Sequence, residues 1–214
     1  MIQLTRSRTL VSASANELEN MRGEFDRQHC IQFSGLLEAG LVEFIQSEVD
    51  HAEFYPKIHK GIGVELSTAH HVLLPLLHIL INDQKLFEIV HQITGCGRIG
   101  CFTGRIYRMM PRSDHYDSWH NDMVEDRMVA MSINLSRGIY DGGILQIRER
   151  NSQRIVHEVS NIGFGDGIIF RLARSLEHRL TNVEGAVPKT AFAGWFKSQP
   201  DFLSVLKNGP SELR

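Results

Sequence analysis

The spacing of apolar residues changes at Gly95, and this change restricts the fold more than any other feature of the chain. Before Gly95 the spacing is helical. One segment follows Ser34, a good N-cap, with the apolar residues Leu37, Leu41, Phe44, Ile45 and Val49. A second runs from Asn82, another cap residue, to Gly95, where a helix would end. Residues 72–81 between them predict a buried helix that starts or breaks at Pro75.

After Gly95 the apolar residues come in short pieces separated by turn sequences such as "RGIYDGG", "ERNSQ" and "FGDG". The strand-like pieces are RIGCFTGRIYRMM, RMVAMSINLS, ILQIRER, RIVHEVS, GIIFR, LEHRLTNV and KTAFAGWF. About eight short strands in roughly 100 residues indicate a sandwich, barrel or jelly roll. We therefore expect a mainly β protein with N-terminal helices (α+β). The predicted division is a helical support region over 1–95, a β core over 96–200 within the same domain, and a C-terminal tail over 201–214.

Charge and composition argue against two classes of partner. The formal net charge of −2 leaves no basic excess to follow a phosphate backbone, so we expect no nucleic acid. The longest apolar run, residues 72–81, is far shorter than the roughly 20 residues that span a bilayer, so we expect no membrane partner. The first 20 residues lack the apolar core of a signal peptide, which predicts a cytoplasmic protein. Cys30, Cys96 and Cys101 are expected to be thiols, with a Cys96–Cys101 disulfide as the alternative.

His120 and Asp122 form a His-x-Asp pair in the polar stretch "SWHND". On an extended strand, side chains two residues apart point to the same face and can bind one ion. His178, on a later predicted strand, is the candidate for a third ligand. Two histidines and one carboxylate leave three positions open on a metal, as in non-haem Fe(II) oxygenases. The pair is common in loops, however, and the spacing alone leaves ordinary hydrogen bonding as an alternative.

Lys189 follows His178 by eleven positions and opens an otherwise apolar strand that ends in "GWF". A lysine in that position is costly to bury unless it meets an anion. A dicarboxylate held between a metal and this ammonium group would supply the anion.

Several further motifs occur in one order along the chain. "GRIYRM" comes first, then the His-x-Asp pair, "MVAMSINLS", "YDGGILQI", "GDGIIF", His178, Lys189 and "GWF". In this order the chain resembles the 2-oxoglutarate- and Fe(II)-dependent dioxygenases, and among them the prolyl-4-hydroxylase-like branch. The resemblance covers about Arg105 to Phe196.

The resemblance implies a double-stranded β-helix, or cupin-like jelly roll, and an oxygenase with Fe(II), 2-oxoglutarate and O2 as cofactor and cosubstrates. His120, Asp122 and His178 would be the catalytic metal ligands. The residues that would bind 2-oxoglutarate are Lys189, Tyr107 and, as weaker candidates, Asn134 and Ser132. The expected reaction hydroxylates a C–H bond of an amino acid, a peptide or protein residue, or a related small molecule, and releases succinate and CO2. The presence of Asp122 favours hydroxylation over halogenation.

The sequence departs from the family pattern at three points. The distal cation is a lysine where many relatives have arginine, so a neighbouring hydroxyl such as that of Thr190 should assist it. Ile144 stands where the family has an acid after Gly-Gly, and Asn182 and Val183 stand in the region where the family has a proline after the distal histidine. Two alternatives remain: a cupin-like metalloenzyme that does not use 2-oxoglutarate, and a non-catalytic jelly-roll binding module. The sequence leaves open whether the chain is a monomer or a homodimer, and which of Arg108, Arg112 and His115 contact a substrate.

Overall fold

The structure is a computed structural model that describes residues 1–69, 72–124 and 126–198. The helices in these residues are α1 (Ala15–Gln28), α2 (Ala39–His51), α3 (Leu73–Ile81) and α4 (Gln84–Thr94). The strands are β1 (Ile2–Leu4), β2 (Thr9–Val11), β3 (Cys30–Phe33), β4 (Tyr55–His59), β5 (Gly63–Thr68), β6 (Cys101–Met109), β7 (Tyr116–Asp117), β8 (Arg127–Asn134), β9 (Asp141–Gly142), β10 (Leu145–Glu149), β11 (Ile155–Val159), β12 (Gly167–Arg171), β13 (Leu176–Leu180), β14 (Val183–Glu184) and β15 (Lys189–Lys197).

Two antiparallel sheets form the core of the molecule. The larger sheet has the order β3-β12-β8-β15-β6-β5-β4, and β7 pairs with β5 beside it. The smaller sheet has the order β11-β10-β13, and the pairs β1-β2 and β14-β9 lie apart from both. An isolated bridge joins His120 to His178 of β13. A cavity lies between the two sheets, as in a jelly roll, and the predicted fold class is confirmed.

Each of the seven strand-like pieces after Gly95 contains a strand of the structure, so this part of the prediction is confirmed. Residues 1–95 contain strands as well as helices. β3 adds to the larger sheet beside β12, and the β4–β5 hairpin adds to it beside β6. Strand β4 has a mostly exposed pattern without a core-facing stripe, so hydrophobic periodicity gives it no signal. The predicted tail over 201–214 lies outside the described residues.

The predicted start of two helices is wrong. Helix α2 begins at Ala39 after Glu38, not after Ser34, because the chain turns at Ser34 and the buried Leu37 forms a β-bridge with Leu4 before the helix starts. Asp83 rather than Asn82 caps α4, since its carboxylate accepts a hydrogen bond from the Leu86 backbone N–H at 3.0 Å. The end of α4 at Gly95 is confirmed, with the left-handed φ of 67° that glycine allows. Pro75 lies in the first turn of α3, where its missing N–H has no helical partner to lose.

The apolar core fills the space between the helices and one face of the larger sheet. Phe192 and Phe196 of β15 are fully buried there, and both contact the ring of Phe102. Phe87 of α4 packs edge-on against Phe196, and His78 of α3 packs against Phe192 in the same way. The helices therefore cover the outer face of the sheet, and its other face is left to line the cavity.

No disulfide joins Cys96 to Cys101, so this alternative is wrong. Cys30 and Cys101 are buried, and burial raises the pKa of the Cys30 thiol to about 12. None of the helices within the described part of the chain combines the length and apolar character needed to cross a bilayer.

We predict that Phe192→Ala lowers the free energy of unfolding by about 3–5 kcal/mol, because it leaves a cavity in the packed aromatic cluster. Urea denaturation followed by circular dichroism measures the change. Ile79→Ala is the control, since Ile79 is 58% exposed, and we expect a change within about 0.5 kcal/mol. Equal losses in the two variants would contradict this assignment of the core.

Candidate metal centre

The backbone brings the two candidate histidines together. The N–H of His120 donates to the carbonyl of His178 at 3.1 Å, and the N–H of His178 donates to the carbonyl of His120 at 3.0 Å. Asp122 Oδ2 lies 3.4 Å from His178 Nε2 and 3.8 Å from His120 Nε2. One potential ligand atom from each of the three residues lies within 4.8 Å of the others. The structure thus gathers the three predicted side chains into one cluster at the bridge between the sheets.

Neighbouring groups fix the orientation of these side chains. His120 Nδ1 lies 2.8 Å from the carbonyl oxygen of Ser118. A carbonyl only accepts hydrogen bonds, so Nδ1 carries the proton and Nε2 faces the cluster. The indole N–H of Trp195 donates to Asp122 Oδ2 at 2.9 Å, and Arg127 donates to Oδ1 at 3.3 Å. These contacts hold the carboxylate where it can share an ion with both imidazoles.

The charges of the cluster favour a cation. Burial alone would raise the pKa of Asp122, but the adjacent imidazoles of His120 and His178 outweigh it and hold the pKa well below its usual range. Burial alone would lower the pKa of His120, yet the nearby carboxylates of Asp122 and Asp117 raise it to about 9. Two imidazole nitrogens and one carboxylate are a donor set that suits Fe(II) and leaves positions for other ligands. The residues present therefore fit this metal.

Lys189 lines the same cavity, which has a volume of about 250 Å³. Its Nζ donates to the hydroxyl of Tyr140 at 2.8 Å and to the carbonyl of Gly143 at 3.0 Å. Both acceptors are neutral, and Lys189 forms no ion pair with any described residue. Burial lowers the pKa of Lys189 to about 8. The cavity therefore holds an ammonium group whose charge has no protein counterion in the described parts of the chain.

The other residues predicted to bind 2-oxoglutarate differ in how many of their polar atoms already have hydrogen-bond partners. Tyr107 and Ser132 line the cavity, and within the described residues the Tyr107 hydroxyl has no hydrogen-bond partner. Asn134 also lines it, but its side-chain amide binds the carbonyls of Ile162 and Gly163, and its oxygen accepts from the Ser136 N–H. Asn134 thus joins β8 to the loop before β12, and these bonds already occupy its polar atoms.

The remaining polar side chains that were expected beside Lys189 or near a substrate lie outside the cavity. Thr190 faces away from it, because side chains alternate along β15, and its hydroxyl accepts from Arg108 Nε at 2.9 Å. The Arg108 guanidinium lies over the ring of Phe54, 3.9 Å from its centroid. Thr190 therefore does not supply the hydroxyl that was expected beside Lys189. Arg112 and His115 lie in the loop after β6 and do not line the cavity.

Sequence reasoning missed Tyr140 and Arg127 and left the orientation of Arg105 undecided. Tyr140 supplies the hydroxyl beside Lys189, and the signal for it was its place just before the paired glycines of "YDGG". Arg105 and Arg127 line the cavity as well. Arg105 is bound by Glu65 of β5, forty positions earlier in the chain. That partner lies on a strand that the sequence did not predict.

Residues 105–197 match the sequence model of the family described as the 2OG-Fe(II) oxygenase superfamily. Over this span the chain has the sequence pattern of the 2OG-Fe(II) oxygenase superfamily. The matched span contains the His120–Asp122–His178 cluster and Lys189, and it coincides with the span on which the sequence resemblance was based. The enzyme is an oxygenase that uses Fe(II), 2-oxoglutarate and O2.

Solved structures share the fold of this oxygenase at low sequence identity. A prolyl-4-hydroxylase from Pseudomonas putida is 18% identical, with 84% of this chain and 98% of that chain covered and a TM-score of 0.63. The epimerase SnoN in complex with Fe3+, alpha ketoglutarate and nogalamycin RO is 11% identical, with 93% and 92% covered and a TM-score of 0.61. A prolyl hydroxylase from Trichoplax adhaerens in complex with a hypoxia inducible factor peptide fragment is 13% identical, with 91% and 98% covered and a TM-score of 0.59. No curated protein sequence matches the chain.

We predict that Lys189→Met stabilises the ligand-free protein by about 1–3 kcal/mol near pH 7, because it removes a buried charge that lacks a counterion. The native state releases the lysine proton near pH 8 and the unfolded state near the ordinary pKa of 10.5. The free energy of unfolding of the wild type should therefore rise between these pH values, and the advantage of the variant should shrink.

Urea denaturation of both proteins at about pH 7 and about pH 10 measures this difference. Lys85→Met is the control, since Lys85 is more than half exposed and should show little difference from wild type at either pH. A Lys189→Met variant that is less stable than wild type near pH 7 would contradict the prediction.

Proposed function

We propose that this oxygenase hydroxylates a C–H bond of an amino acid, a peptide or protein residue, or a related small molecule, with release of succinate and CO2. The observation that carries the proposal is the cavity itself. It is lined both by the His120–Asp122–His178 cluster and by Lys189, a buried cation without a protein counterion among the described residues. A metal-binding dicarboxylate satisfies both features at once.

In this proposal His120, Asp122 and His178 hold Fe(II) through two Nε2 atoms and one carboxylate oxygen. Fe(II) together with 2-oxoglutarate and O2 supplies the oxidising power for insertion of oxygen into an unactivated C–H bond. The protein keeps these ligands oriented: the backbone carbonyl of Ser118 accepts a hydrogen bond from His120 Nδ1, and Trp195 and Arg127 donate to the carboxylate of Asp122. Because Asp122 occupies its position, the site has no gap for a halide, which favours hydroxylation.

Lys189 and Tyr140 are proposed to bind the distal carboxylate of 2-oxoglutarate. The Tyr140 hydroxyl accepts from Lys189 Nζ, so its own O–H remains able to donate to a carboxylate oxygen. An ammonium is a point charge and cannot form the two-pronged contact of arginine, so a neighbouring hydroxyl complements it. Tyr107 is a second hydroxyl in the same cavity.

The proposed substrate class draws on the range of ligands in the similar structures rather than on any one relative. The Trichoplax structure holds a peptide, and the SnoN structure holds nogalamycin RO. We propose that small-molecule or peptide substrates, and not nucleic acid, bind this chain, in keeping with its net charge of −2. We also propose a cytoplasmic location, supported by the thiols of Cys30 and Cys96, because unpaired thiols are typical of a reducing compartment.

We predict that anaerobic addition of Fe(II) and then 2-oxoglutarate to the metal-free protein produces the weak visible charge-transfer band of an iron-chelated keto acid. His178→Ala should lose the band, because two protein ligands remain. Lys189→Ala should need at least tenfold more 2-oxoglutarate, since a charge-assisted contact contributes about 1.5–3 kcal/mol. Absorbance titration measures both effects.

His51→Ala and Lys85→Ala are the matched controls, because both residues lie on the surface away from the cavity, and their titrations should match the wild type. Iron binding without the band at any 2-oxoglutarate concentration would favour a cupin-like metalloenzyme. Failure to bind iron would favour a non-catalytic binding module. Either result would reject the proposed function.

We predict that the affinity for 2-oxoglutarate falls as the pH rises above about 8. The cosubstrate carboxylate binds the charged ammonium, and Lys189 loses its proton near that pH in the ligand-free protein. In Lys189→Arg the affinity for 2-oxoglutarate should no longer fall with pH, because a guanidinium stays charged at every pH tested. Titration of the charge-transfer band at saturating Fe(II) and several pH values measures the affinity. The same pH dependence in both proteins would assign it to another group.

A further inference from the structure

Two arginines line the cavity, and the structure neutralises them to different extents. Arg105 meets the carboxylate of Glu65 through two hydrogen bonds, Nε to Oε1 at 2.6 Å and Nη2 to Oε2 at 3.2 Å. His59 Nε2 adds a third contact to Glu65 at 3.0 Å. All three side chains are largely buried, and Glu65 is 7% exposed. Glu65 therefore already neutralises the charge of Arg105 and accepts its hydrogen bonds, which indicates a structural role for this arginine.

Arg127 is not matched in this way. Within the described residues its side chain makes one hydrogen bond, from Nη1 to Asp122 Oδ1, and this bond is long at 3.3 Å. The neighbouring Asp126 is paired with Lys197 at 3.3 Å. Asp122 itself belongs to the proposed metal site and receives a hydrogen bond from Trp195. When Asp122 neutralises part of a metal charge, the guanidinium of Arg127 has no carboxylate of its own in the described ranges.

The position of Arg127 is nevertheless well defined. Its guanidinium carbon lies 3.5 Å from the centroid of the Trp195 ring, a stacked cation–π contact. Stacking holds the guanidinium plane in place and leaves its edge, with the remaining N–H donors, open to a planar partner. The side chain is 23% exposed, so a ligand can reach it through the cavity. A fixed planar fork of donors suits a carboxylate, which it can bind through two parallel hydrogen bonds.

We infer that Arg127, stacked on Trp195, binds the carboxylate of the substrate, and that the substrate is a small carboxylic acid of amino-acid size. This inference rests on the proposed function and deepens it. Ala130, Phe170 and the Trp195 ring are apolar parts of the cavity wall, and they receive the uncharged body of the acid. The cavity of about 250 Å³ also has to hold 2-oxoglutarate, so a free acid fits better than an internal residue of a long peptide.

The contact with Arg127 also places the substrate next to the metal site, although the substrate does not coordinate the metal. Arg127 reaches Asp122 Oδ1, while Asp122 Oδ2 is the oxygen near the two histidines. A carboxylate bound to Arg127 therefore lies beside the metal ligand set, and the carbon skeleton attached to it extends into the apolar part of the cavity. Arg127 is in this sense a specificity-determining residue of the hydroxylation.

The test compares acids with their amides. The anaerobic complex of enzyme, Fe(II) and 2-oxoglutarate is titrated with the twenty common free L-amino acids, with their carboxamides, with a set of aliphatic and aromatic monocarboxylates, and with N- and C-capped peptides. Binding is read from the shift of the charge-transfer band, and turnover from succinate release in air. We expect hits among the free acids, and a loss of about 10- to 100-fold in affinity for the amide of each hit.

Arg127→Gln is then titrated with each hit and its amide. We expect the variant to lose about 10- to 100-fold in affinity for the acid and little for the amide, so that the preference for the acid disappears. A role confined to holding Asp122 would weaken acid and amide equally, which separates it from substrate binding. Arg98→Gln is the matched control, because Arg98 is exposed and outside the cavity, and it should keep the full preference.

Three outcomes would overturn the inference while the charge-transfer band of the binary complex stays intact. The amides or capped peptides could bind as well as the acids, no free acid in the panel could bind, or the preference for acids could survive in Arg127→Gln. Absence of the band itself would instead reject the proposed function. The two failures are thus distinguishable in one set of titrations.

Discussion

The alternation of side chains along β15 is the constraint on which the rest of the structure depends. This strand pairs with β6 over its whole length on one side and with β8 on the other, so its register fixes both neighbours. One face sends Phe192 and Phe196 into the aromatic core below the helices, and the other sends Lys189 and Trp195 into the cavity. A slip of one residue would exchange these faces and place the lysine in the core. Fold stability and the proposed chemistry are therefore set by the same hydrogen-bond register.

The distribution of buried charge separates structural groups from ligand-binding groups. Arg105, Glu65 and His59 satisfy one another, and the pair formed by Lys197 and Asp126 does the same. Lys189 has no carboxylate partner in the described residues, and Arg127 has only Asp122, which also belongs to the proposed metal site; both cations line the cavity. Leaving a cation unmatched costs stability in the ligand-free protein, and a bound anion recovers it. These two cations are therefore the groups at which we propose that anions bind.

The sequence predicted the β half of this protein well because local signals are strong there. Seven short apolar pieces flanked by turn residues each became a strand, and the His-x-Asp pair and His178 came together although they lie on different segments. The predictions from sequence were wrong where tertiary packing determines the local structure. Ser34 looks like a cap, but the chain turns there, and the β-bridge of Leu37 to Leu4 delays the helix to Ala39. Tyr140 and Arg127 could not be chosen from sequence, since their roles depend on contacts with Lys189 and Trp195 across strands.

The backbone bridge between His120 and His178 has a consequence for metal supply. Reciprocal hydrogen bonds join the backbones of the two histidines, so the fold itself brings their imidazoles together, whichever divalent ion arrives. Sites of this kind bind first-row ions in an order that places copper and zinc above iron. Neither the histidines nor the aspartate can reverse that order by themselves. Correct loading of this oxygenase would then depend on which ions its surroundings keep free, and a zinc-loaded protein would be folded yet inactive.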